Sequence, residues 1–524
     1  MNNCGKSPCK NVDCSLLELV GNLKMKLLIA NRGEIALRII RTCKKLGLRT
    51  VLVHSDPDRQ SLPIQYADER YALEGSTPAE TYLNIPKIVR AALEMGCDAV
   101  HPGYGFLAED AAFVKACEEN HIVFVGPSGD ALEKLGNKLL ARQTMTDSGV
   151  PVIPGSELVR DEEEAVRAAN EIGYPVIVKA VYGGGGRGMR TASTPQEVRG
   201  VFQMTKSESR YAFGRDALYL EKRLANPRHI EIQTIADSRA KLVSLGEREC
   251  SIQRRHQKLL EEAPSIATNT ELRQQLSDAA KRGLASAGYE NAGTVEFLVE
   301  SSGEFYFLEV NKRLQVEHLV TEMTTGVDII EEQLNVALGS GLNLSQNEVS
   351  VRGWAINCRI NAEDPRRDFA PSPGTLIRYR PPSGPGIRVD SALFTGYTIP
   401  EYYDSMVAKL AAWGRDRNEA IQRMRIALSE IEIIGIPTTV PLHRILMRDE
   451  QFIRGEFHTN YLNSVLPRMN ADLLLLEKFA VAAATAHRMA RPNAVAAQPR
   501  TRETSRWRSY ARVDLLKAHT WKSS

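Results

Sequence analysis

Apolar positions along the chain follow two rhythms, one of short unbroken runs and one of helical stripes. Residues 25–30 (MKLLIA) form an apolar run that reads as a strand. Over 32–46 the apolar residues Ile35, Ile39, Ile40, Cys43 and Leu46 recur at helical spacing, and Gly47 stops the pattern. A second run, 50–54 (TVLVH), follows. Strand, helix and strand of this size predict a βαβ unit and a doubly wound parallel sheet. A helix over 84–95 and strands at 98–101 and 122–126 extend it. From about Lys138 the rhythm changes. Helices over 137–148 and 161–172 lead to a strand at 175–179, and further strands are expected at 187–191, 217–222 and 229–236, with a helix from 195 to 208. Antiparallel strands around a glycine run make a mobile flap. Runs 293–300 and 304–310 flank Ser301-Ser302-Gly303, a hairpin signal. Strands at 353–360 and 407–414 and a helix over 418–431 form a further unit. The class is α/β in the first part and α+β taken whole. Past Pro467 the pattern weakens into a Leu- and Ala-rich helix, 470–489, and a basic tail, 491–524.

Composition narrows the function. A chain of 524 residues suggests several structural units, and 43% apolar with 25% charged residues is ordinary for a globular protein. A net charge of +3 argues against nucleic acid as the main partner. The longer apolar runs are broken by Lys, Arg or Glu, so no membrane span is expected. Residues 1–24 lack the apolar core of a secretion signal and are expected to be a disordered leader, or to precede the true start at Met25. Eight scattered cysteines fit reduced thiols in a cytoplasmic protein. Cys4, Cys9 and Cys14 have no His or fourth Cys to complete a zinc set. The tail, with Trp507 and Trp521, reads first as solvated chain and second as a docking segment.

Candidate chemistry begins at the glycines. Gly183, Gly184, Gly185 and Gly186 follow a strand ending in Lys179, and Arg187 comes directly after them. Backbone amides without Cβ atoms can close on phosphate, although no Walker A sequence is present. In the 293–310 hairpin Glu300 is expected to pair with Glu304 or with Phe305; pairing with Phe305 would set Glu296 opposite Glu309, a repulsive arrangement that a divalent cation reverses. Asn311 adds an oxygen. An offset register would leave the two carboxylates apart and solvated. Residues 311–318 read NKRLQVEH. In an extended strand Arg313, Gln315 and Glu317 would face together, a set suited to a small planar anion; the polar face of an exposed strand shows the same alternation. The run 251–258 (SIQRRHQK) is either an anion channel or a surface patch. The turn Asn31-Arg32-Gly33-Glu34 is not a dinucleotide fingerprint.

At these motifs the sequence resembles the biotin carboxylases, ATP-grasp enzymes of the biotin-dependent carboxylases. The matching stretches are ANRGEIALRI, YLNI, HPGYGFLAE, GGGGRGM, NPRHIEIQ, SIQRRHQK, GTVEFL, RLQVEH, CRINAEDP, PSPG and YYDSM, in order from about Met25 to about Pro467. The resemblance implies an N-terminal domain over 25–137, an ATP-grasp domain over 138–350 with a lid at about 151–224, and a C-terminal biotin carboxylase domain over 351–467. It implies ATP contacts at Lys138, Lys179, Gly185, Gly186, Glu221, Leu224, His229, Gln253, His256 and Leu298. Metal ligands for Mg²⁺ or Mn²⁺ would be Glu296, Glu309 and Asn311. Bicarbonate would meet Lys258, Arg313, Gln315, Val316 and Glu317, with Arg359 for biotin. Lys258, Arg313, Glu317 and Arg359 form the implied catalytic set.

In the implied reaction Glu317 deprotonates bicarbonate, which attacks the γ-phosphate of ATP. The carboxyphosphate then releases CO₂ to biotin. Lys312 stands where Thr, Ser or Pro is common, placing a cation beside the metal ligands or pointing to solvent. Leu319 replaces a usual Pro, and Tyr182 a first glycine. No Met-Lys-Met acceptor occurs. The expectation is therefore one subunit of an acetyl-CoA, propionyl-CoA or pyruvate carboxylase, served by a separate biotin carrier protein and a carboxyltransferase subunit. The family is usually homodimeric. The alternative is another ATP-grasp carboxylate ligase that does not use biotin.

Overall fold

Strand β1 (Lys26–Ile29) buries both faces. Leu27 and Ile29 pack with Ile35, Ile39, Ile40 and Cys43 of helix Gly33–Lys45, whereas Leu28 joins Val51, Val53, Val100 and Ile88 on the other side. A strand apolar on both faces belongs inside a helix-covered parallel sheet. Its neighbours are β2 (Arg49–His54), β3 (Glu69–Ala72), β4 (Ala99–His101) and β5 (Val123–Phe124), all parallel, in the order β3-β2-β1-β4-β5. The expected doubly wound sheet is present.

The computed structural model describes residues 25–181 and 188–468, with 478–479, 481–483 and 485–486. The leader, the glycines Gly183 to Gly186 with Tyr182 and Arg187, and the 491–524 tail lie outside the described residues. Two compact units meet in sequence at Leu466 and Pro467. In the second, the described residues between 478 and 486 are helical, and Phe479 and Val481 are exposed.

After helix Lys138–Asp147 comes a small antiparallel sheet, with β6 (Val176–Ala180) between β7 (Met189–Ala192) and β8 (Leu218–Lys222). Val176, Val178, Leu218 and Leu220 pack on helices Glu162–Ile172 and Pro195–Phe213. Period-two alternation therefore sends Lys179, Tyr219 and Glu221 to the opposite face.

The third sheet holds the site. Six strands run β13-β12-β9-β10-β11-β14, and Met406–Gly414 and Ile387–Ser391 continue the edge. They are β9 (Arg228–Ala236), β10 (Leu242–Arg254), β11 (Gln257–Ala263), β12 (Asn291–Val299), β13 (Phe305–Asn311) and β14 (Trp354–Asn361). Ile230, Ile232, Val295, Phe297 and Val299 pack beneath helix Thr270–Ser286, whose Leu272, Leu276 and Leu284 fill the same core. The alternate residues His229, Glu231, Gln233, Thr294 and Glu296 occupy the other face.

Two local expectations change. Near its turn the β12–β13 hairpin pairs Glu300 with Glu304, through a 2.8 Å backbone bond, and Phe297 with Phe307. A register shift then places Glu296 opposite Glu309. Leu308 is the extra residue of this bulge, and the bulge is what opposes the carboxylates. Residues 312–317, expected as an extended strand, are not one. β13 ends at Asn311, and the chain turns into helix His318–Thr325 with Glu317 as its N-cap.

Candidate active site

Four neighbouring strands carry one transverse row of charges. The register pairs Glu309 with Glu296, Glu296 with Glu231, and Glu231 with Arg248. Adjacent strands lie about 4.8 Å apart, so three carboxylates in line repel unless cations answer them. Arg248 is fully buried. It donates to Glu231, to Gln233 Oε1 at 2.7 Å, to Thr321 Oγ1 at 2.9 Å and to Thr294 Oγ1 at 3.1 Å. Lys258, on β11, extends its ammonium to Glu231, to Glu296 Oε1 at 2.7 Å and to Glu317 Oε1 at 2.8 Å. Burial alone would lower the Lys258 pKa, but these three carboxylates raise it well above the usual lysine range.

The same contacts fix the acids. Burial works to raise Glu296, yet Lys258 and His229, whose Nε2 lies 2.9 Å from Glu296 Oε2, hold it well below the carboxylate range. Glu309 is left out: it makes no hydrogen bond or ion pair among the described residues, and burial and the Glu296 charge push its pKa up. Lys138, at the start of helix Lys138–Asp147, faces Glu309 electrostatically and is itself lowered by burial.

Glu317 is buried between two cations. Arg359, on β14, donates to Glu261 and, at 2.9 Å, to Glu317 Oε2, while Lys258 takes Glu317 Oε1. Burial would raise the Glu317 pKa; Lys258, Arg359 and Arg248 together depress it far below the usual range. Beside it, the Gln315 Nε2 is buried without a hydrogen-bond partner. Its Oε1 accepts from Arg313 at 3.3 Å. A buried amide donor left unpaired costs free energy that an anion's oxygen would recover.

On the small sheet Glu221 accepts from Lys179, from Arg142 at 2.8 Å and from Tyr219 at 3.2 Å. Burial is outweighed by Lys179 and Arg142, so Glu221 stays below the usual carboxylate range.

Three family models match in succession: biotin carboxylase N-terminal domain over residues 24–132, carbamoyl-phosphate synthase L chain ATP binding domain over 137–345, and biotin carboxylase C-terminal domain over 357–464. Biotin carboxylase 1 of Bacillus subtilis is 53% identical over 441 residues, 84% of this chain and 98% of that protein. The chain belongs to the biotin carboxylase family. These are ATP-dependent ligases. A pyruvate carboxylase subunit of Methanothermobacter thermautotrophicus is 49% identical over 454 residues, covering 86% of this chain and 92% of the relative. A biotin carboxylase–beta-gamma-ATP complex from Campylobacter jejuni superposes with a TM-score of 0.83 at 46% identity, covering 85% of this chain and 100% of the other. The biotin carboxylase domain dimer of Hydrogenobacter thermophilus 2-oxoglutarate carboxylase, in complex with MgADP, ADP and bicarbonate, gives 0.83 at 47% identity, covering 85% and 98%.

Of the residues the biotin carboxylase resemblance singled out, the fold gathers Lys258, Glu296, Glu317, Arg359 and His229 into one contact network. Gln253 joins through His229 Nδ1, 2.7 Å away. Leu298 pairs with His229 across β12 and β9. Leu224 is half-buried after β8, and His256 is exposed at the tip of the β10–β11 hairpin. Val316 contributes its carbonyl to Lys409 Nζ at 3.2 Å. Gly185 and Gly186 lie outside the described residues. Arg313 does not stand with Glu317; it turns to Glu109 at 3.2 Å, to Asn311 Oδ1 at 3.2 Å and to Gln315. The reason is the turn at 312–317, which replaces the strand that would have aligned them. Lys312 neither points to solvent nor joins the acids of the row: it is buried, and its Nζ lies 3.5 Å from Glu109.

The donor set fits a divalent cation between Glu296 and Glu309. Glu309 has no cation in contact, its charge is suppressed by Glu296, and hard carboxylate oxygens suit Mg²⁺. Asn311 donates its Nδ2 to Glu296 at 2.7 Å and gives its oxygen to Arg313, so its amide must rotate to join such a set. Two ligand-type clusters among the described residues, His229 with Glu231 and Glu296, and Glu231 with Cys250 and Glu317, do not include Glu309, and both are already answered by Lys258 and Arg248.

Sequence reasoning missed Glu109, Glu231, Arg248 and Glu261. Glu231 and Glu109 were inside quoted motifs, but only strand pairing shows what they touch. Tyr104 was missed as well: its hydroxyl is buried and unpartnered, and its ring lies 5.5 Å from Lys409 Nζ.

Proposed function

We propose that this chain uses ATP and bicarbonate to carboxylate biotin presented on a separate carrier protein. One observation carries the reading: Glu317 is buried and ionised between Lys258 and Arg359, beside the unpaired Gln315 donor. Two cations flanking a buried carboxylate, two residues along the chain from an unpaired amide donor, suit a small planar anion with a base at hand. Bicarbonate supplies the anion, Gln315 orients it, and Arg313 joins once its guanidinium leaves Glu109. As the anion's oxygens draw Lys258 and Arg359 toward themselves, Glu317 loses part of the field that depresses it and becomes a better base. It takes the bicarbonate proton, and the dianion attacks the γ-phosphate of ATP, breaking the β–γ bond and releasing ADP with carboxyphosphate formed. Lys138, Lys179 and Lys258 carry the positive charge that spreads over the transferring phosphoryl group. Carboxyphosphate breaks to CO₂ and phosphate. The phosphate takes the ureido proton of biotin, Arg359 stabilises the resulting enolate, and its nitrogen adds to the CO₂ to give carboxybiotin. A divalent metal, Mg²⁺ or Mn²⁺, held by Glu296 and Glu309 with Asn311, would neutralise phosphate charge.

The proposed division is 25–137, 138–350 and 351–467, with the lid at about 151–224. The proposed partners are a biotin carrier and a carboxyltransferase, around a homodimer of this chain. Relatives serve pyruvate carboxylase and 2-oxoglutarate carboxylase, so the acceptor is a property of the transferase rather than of this site. A cytoplasmic setting is supported by the buried, unpaired thiols of Cys43, Cys97, Cys117, Cys250 and Cys358. Among the described residues no helix is long and apolar enough to cross a membrane.

The test is phosphate release from ATP by the purified chain with Mg²⁺, varying bicarbonate and free biotin separately. Biotin-stimulated, bicarbonate-dependent release is expected. ATP turnover indifferent to biotin, free or carrier-borne, would move the chain to another class of ATP-grasp ligase.

A further inference from the structure

A second transverse row of charges crosses the large sheet. The register pairs Asp390 with Lys409, and Lys409 with Arg359. Residues directly opposite on neighbouring strands share one face, so Lys409 and Arg359 stand side by side. They hold one short segment at consecutive points. Arg359 donates to the Glu317 carboxylate at 2.9 Å, and Lys409 donates to the Val316 carbonyl at 3.2 Å. Lys409 is fully buried; Glu34 at 3.0 Å and Asp390 at 3.8 Å answer its charge, and the Tyr104 ring lies 5.5 Å away. One residue earlier the chain is gripped again. His318, also fully buried, places Nδ1 2.7 Å from the Gln315 carbonyl oxygen, and its own amide donates there at 3.3 Å. A carbonyl oxygen only accepts, so His318 Nδ1 carries the proton.

These grips leave the donors of the same segment unspent. The peptide bonds here are trans, so each N–H points opposite to the carbonyl of its own plane. With the Gln315 and Val316 carbonyls turned to His318 and Lys409, the amides of Val316 and Glu317 turn the other way. Neither amide donates in a hydrogen bond among the described residues. The Gln315 Nε2 is buried and unpaired as well. Three donors on successive residues, ahead of helix His318–Thr325, suit one small anion.

We propose that Lys409 and His318 are positioning residues for bicarbonate: by holding the two carbonyls they keep the Val316 and Glu317 amides turned to the anion. The inference rests on the ATP- and bicarbonate-dependent reading and deepens it. Both side chains act through the backbone. If the Val316 carbonyl is released, its peptide plane can rotate, and the Glu317 amide leaves its alignment together with the carboxylate that follows it. Donors set in place beforehand cost no ordering when the anion binds.

The experiment measures phosphate release by the full chain with Mg²⁺ and a fixed concentration of free biotin, varying bicarbonate and ATP separately. Lys409→Met alone would strand the buried Glu34 carboxylate, so the variant is E34Q/K409M, with E34Q as its control. Asp390 keeps Arg388 in both. E34Q/K409M should raise KM for bicarbonate by about tenfold or more, leave KM for ATP within about twofold, and lower kcat by less than it raises the bicarbonate KM. E34Q alone should keep the bicarbonate KM within about twofold of wild type. H318L should raise the same KM, and H318N, whose amide can still donate to the Gln315 carbonyl, should recover most of the loss. A purely structural role would shrink the folded fraction, lowering kcat with both KM values unchanged. An unchanged bicarbonate KM in E34Q/K409M or in H318L, or a parallel rise in both KM values, would overturn the positioning role. Should E34Q/K409M not fold, H318L against H318N decides by the same split. Wild-type turnover indifferent to bicarbonate would instead remove the reading beneath the inference.

Discussion

Glu317 shares its two oxygens between Lys258 and Arg359, and neither cation depends on it alone. Lys258 also holds Glu231 and Glu296, and Arg359 also holds Glu261. Glu317→Gln therefore leaves both cations paired and the fold intact, while removing the one base in contact with the anion pocket. The expected result is a fall in kcat of about a hundredfold to ten-thousandfold with KM for ATP little changed. A loss confined to KM for ATP would make Glu317 a nucleotide contact instead. Glu309 presents the opposite case. Its carboxylate faces Glu296 with no cation in contact, so it costs stability until a divalent ion arrives. Glu309→Gln should raise the unliganded melting temperature, by about 1 kcal/mol of stability. It should also abolish most of the further rise produced by MgADP. Thermal melts with and without MgADP read both effects; a variant less stable without ligand would show that the repulsion is already relieved.

At the scale of elements, sequence pattern found the strands but not their partners. The stripe from Ile35 to Leu46 predicted helix Gly33–Lys45, and the hairpin around Ser301-Ser302-Gly303 is present. The opposition of Glu296 and Glu309 was legible because both strands of a hairpin are local. The bulge at Leu308 that secures it was not, since turn and bulge offset each other by one residue. The Glu231–Arg248 end of the row was hidden for a different reason: it needs β9 flanked by both β10 and β12, pairings between segments distant in sequence. Arg313, Gln315 and Glu317 misled because period-two spacing does not separate a strand from a turn that caps a helix. Element contacts also set a prediction at Gly155. It bridges to Glu221 of β8, and a Cβ there would lie 2.7 Å from the Leu220 carbonyl oxygen and 3.0 Å from the Arg142 guanidinium. Backbone must move to admit it. Gly155→Ala should cost about 1–3 kcal/mol of stability. By displacing β8 and its Glu221–Lys179 contact it should raise KM for ATP severalfold more than it lowers kcat. Unchanged nucleotide affinity would show that β8 absorbs the shift without moving Glu221.

Across the first compact unit, the parallel sheet and the large antiparallel sheet are joined by buried charge. Glu34, on helix Gly33–Lys45, lies 3.0 Å from Lys409 Nζ on strand Met406–Gly414. Lys409 also donates to the Val316 carbonyl beside Glu317 and lies 3.8 Å from Asp390, which Arg388 holds at 2.8 Å. Arg388 continues to Glu322, and Glu322 to Arg38 back on the first helix. The loop that carries the anion pocket is thus tied to the N-terminal helix through one lysine. Burial lifts the Glu34 pKa from 4.5 to about 7, although Lys409 opposes the rise. A carboxyl raised in the folded state binds its proton more tightly there than in the unfolded chain. Its contribution to stability is complete below about 4.5 and is lost as pH rises to about 7, after which the loss is constant. A shift of this size corresponds to roughly 3 kcal/mol at most. Glu34→Gln cannot ionise, so its melting temperature should gain on wild type across that window, and the difference should level off above it. Glu34 faces Lys409, Asp390 and Arg388; Asp390 and Glu322 raise Arg388, and Lys409 and Arg388 hold Asp390 well below its usual range, so neither Arg388 nor Asp390 changes charge within the window. Parallel melting profiles for wild type and variant would show that Glu34 is ionised throughout, held so by Lys409, and that the helix is anchored to the pocket by a fixed ion pair rather than by a proton.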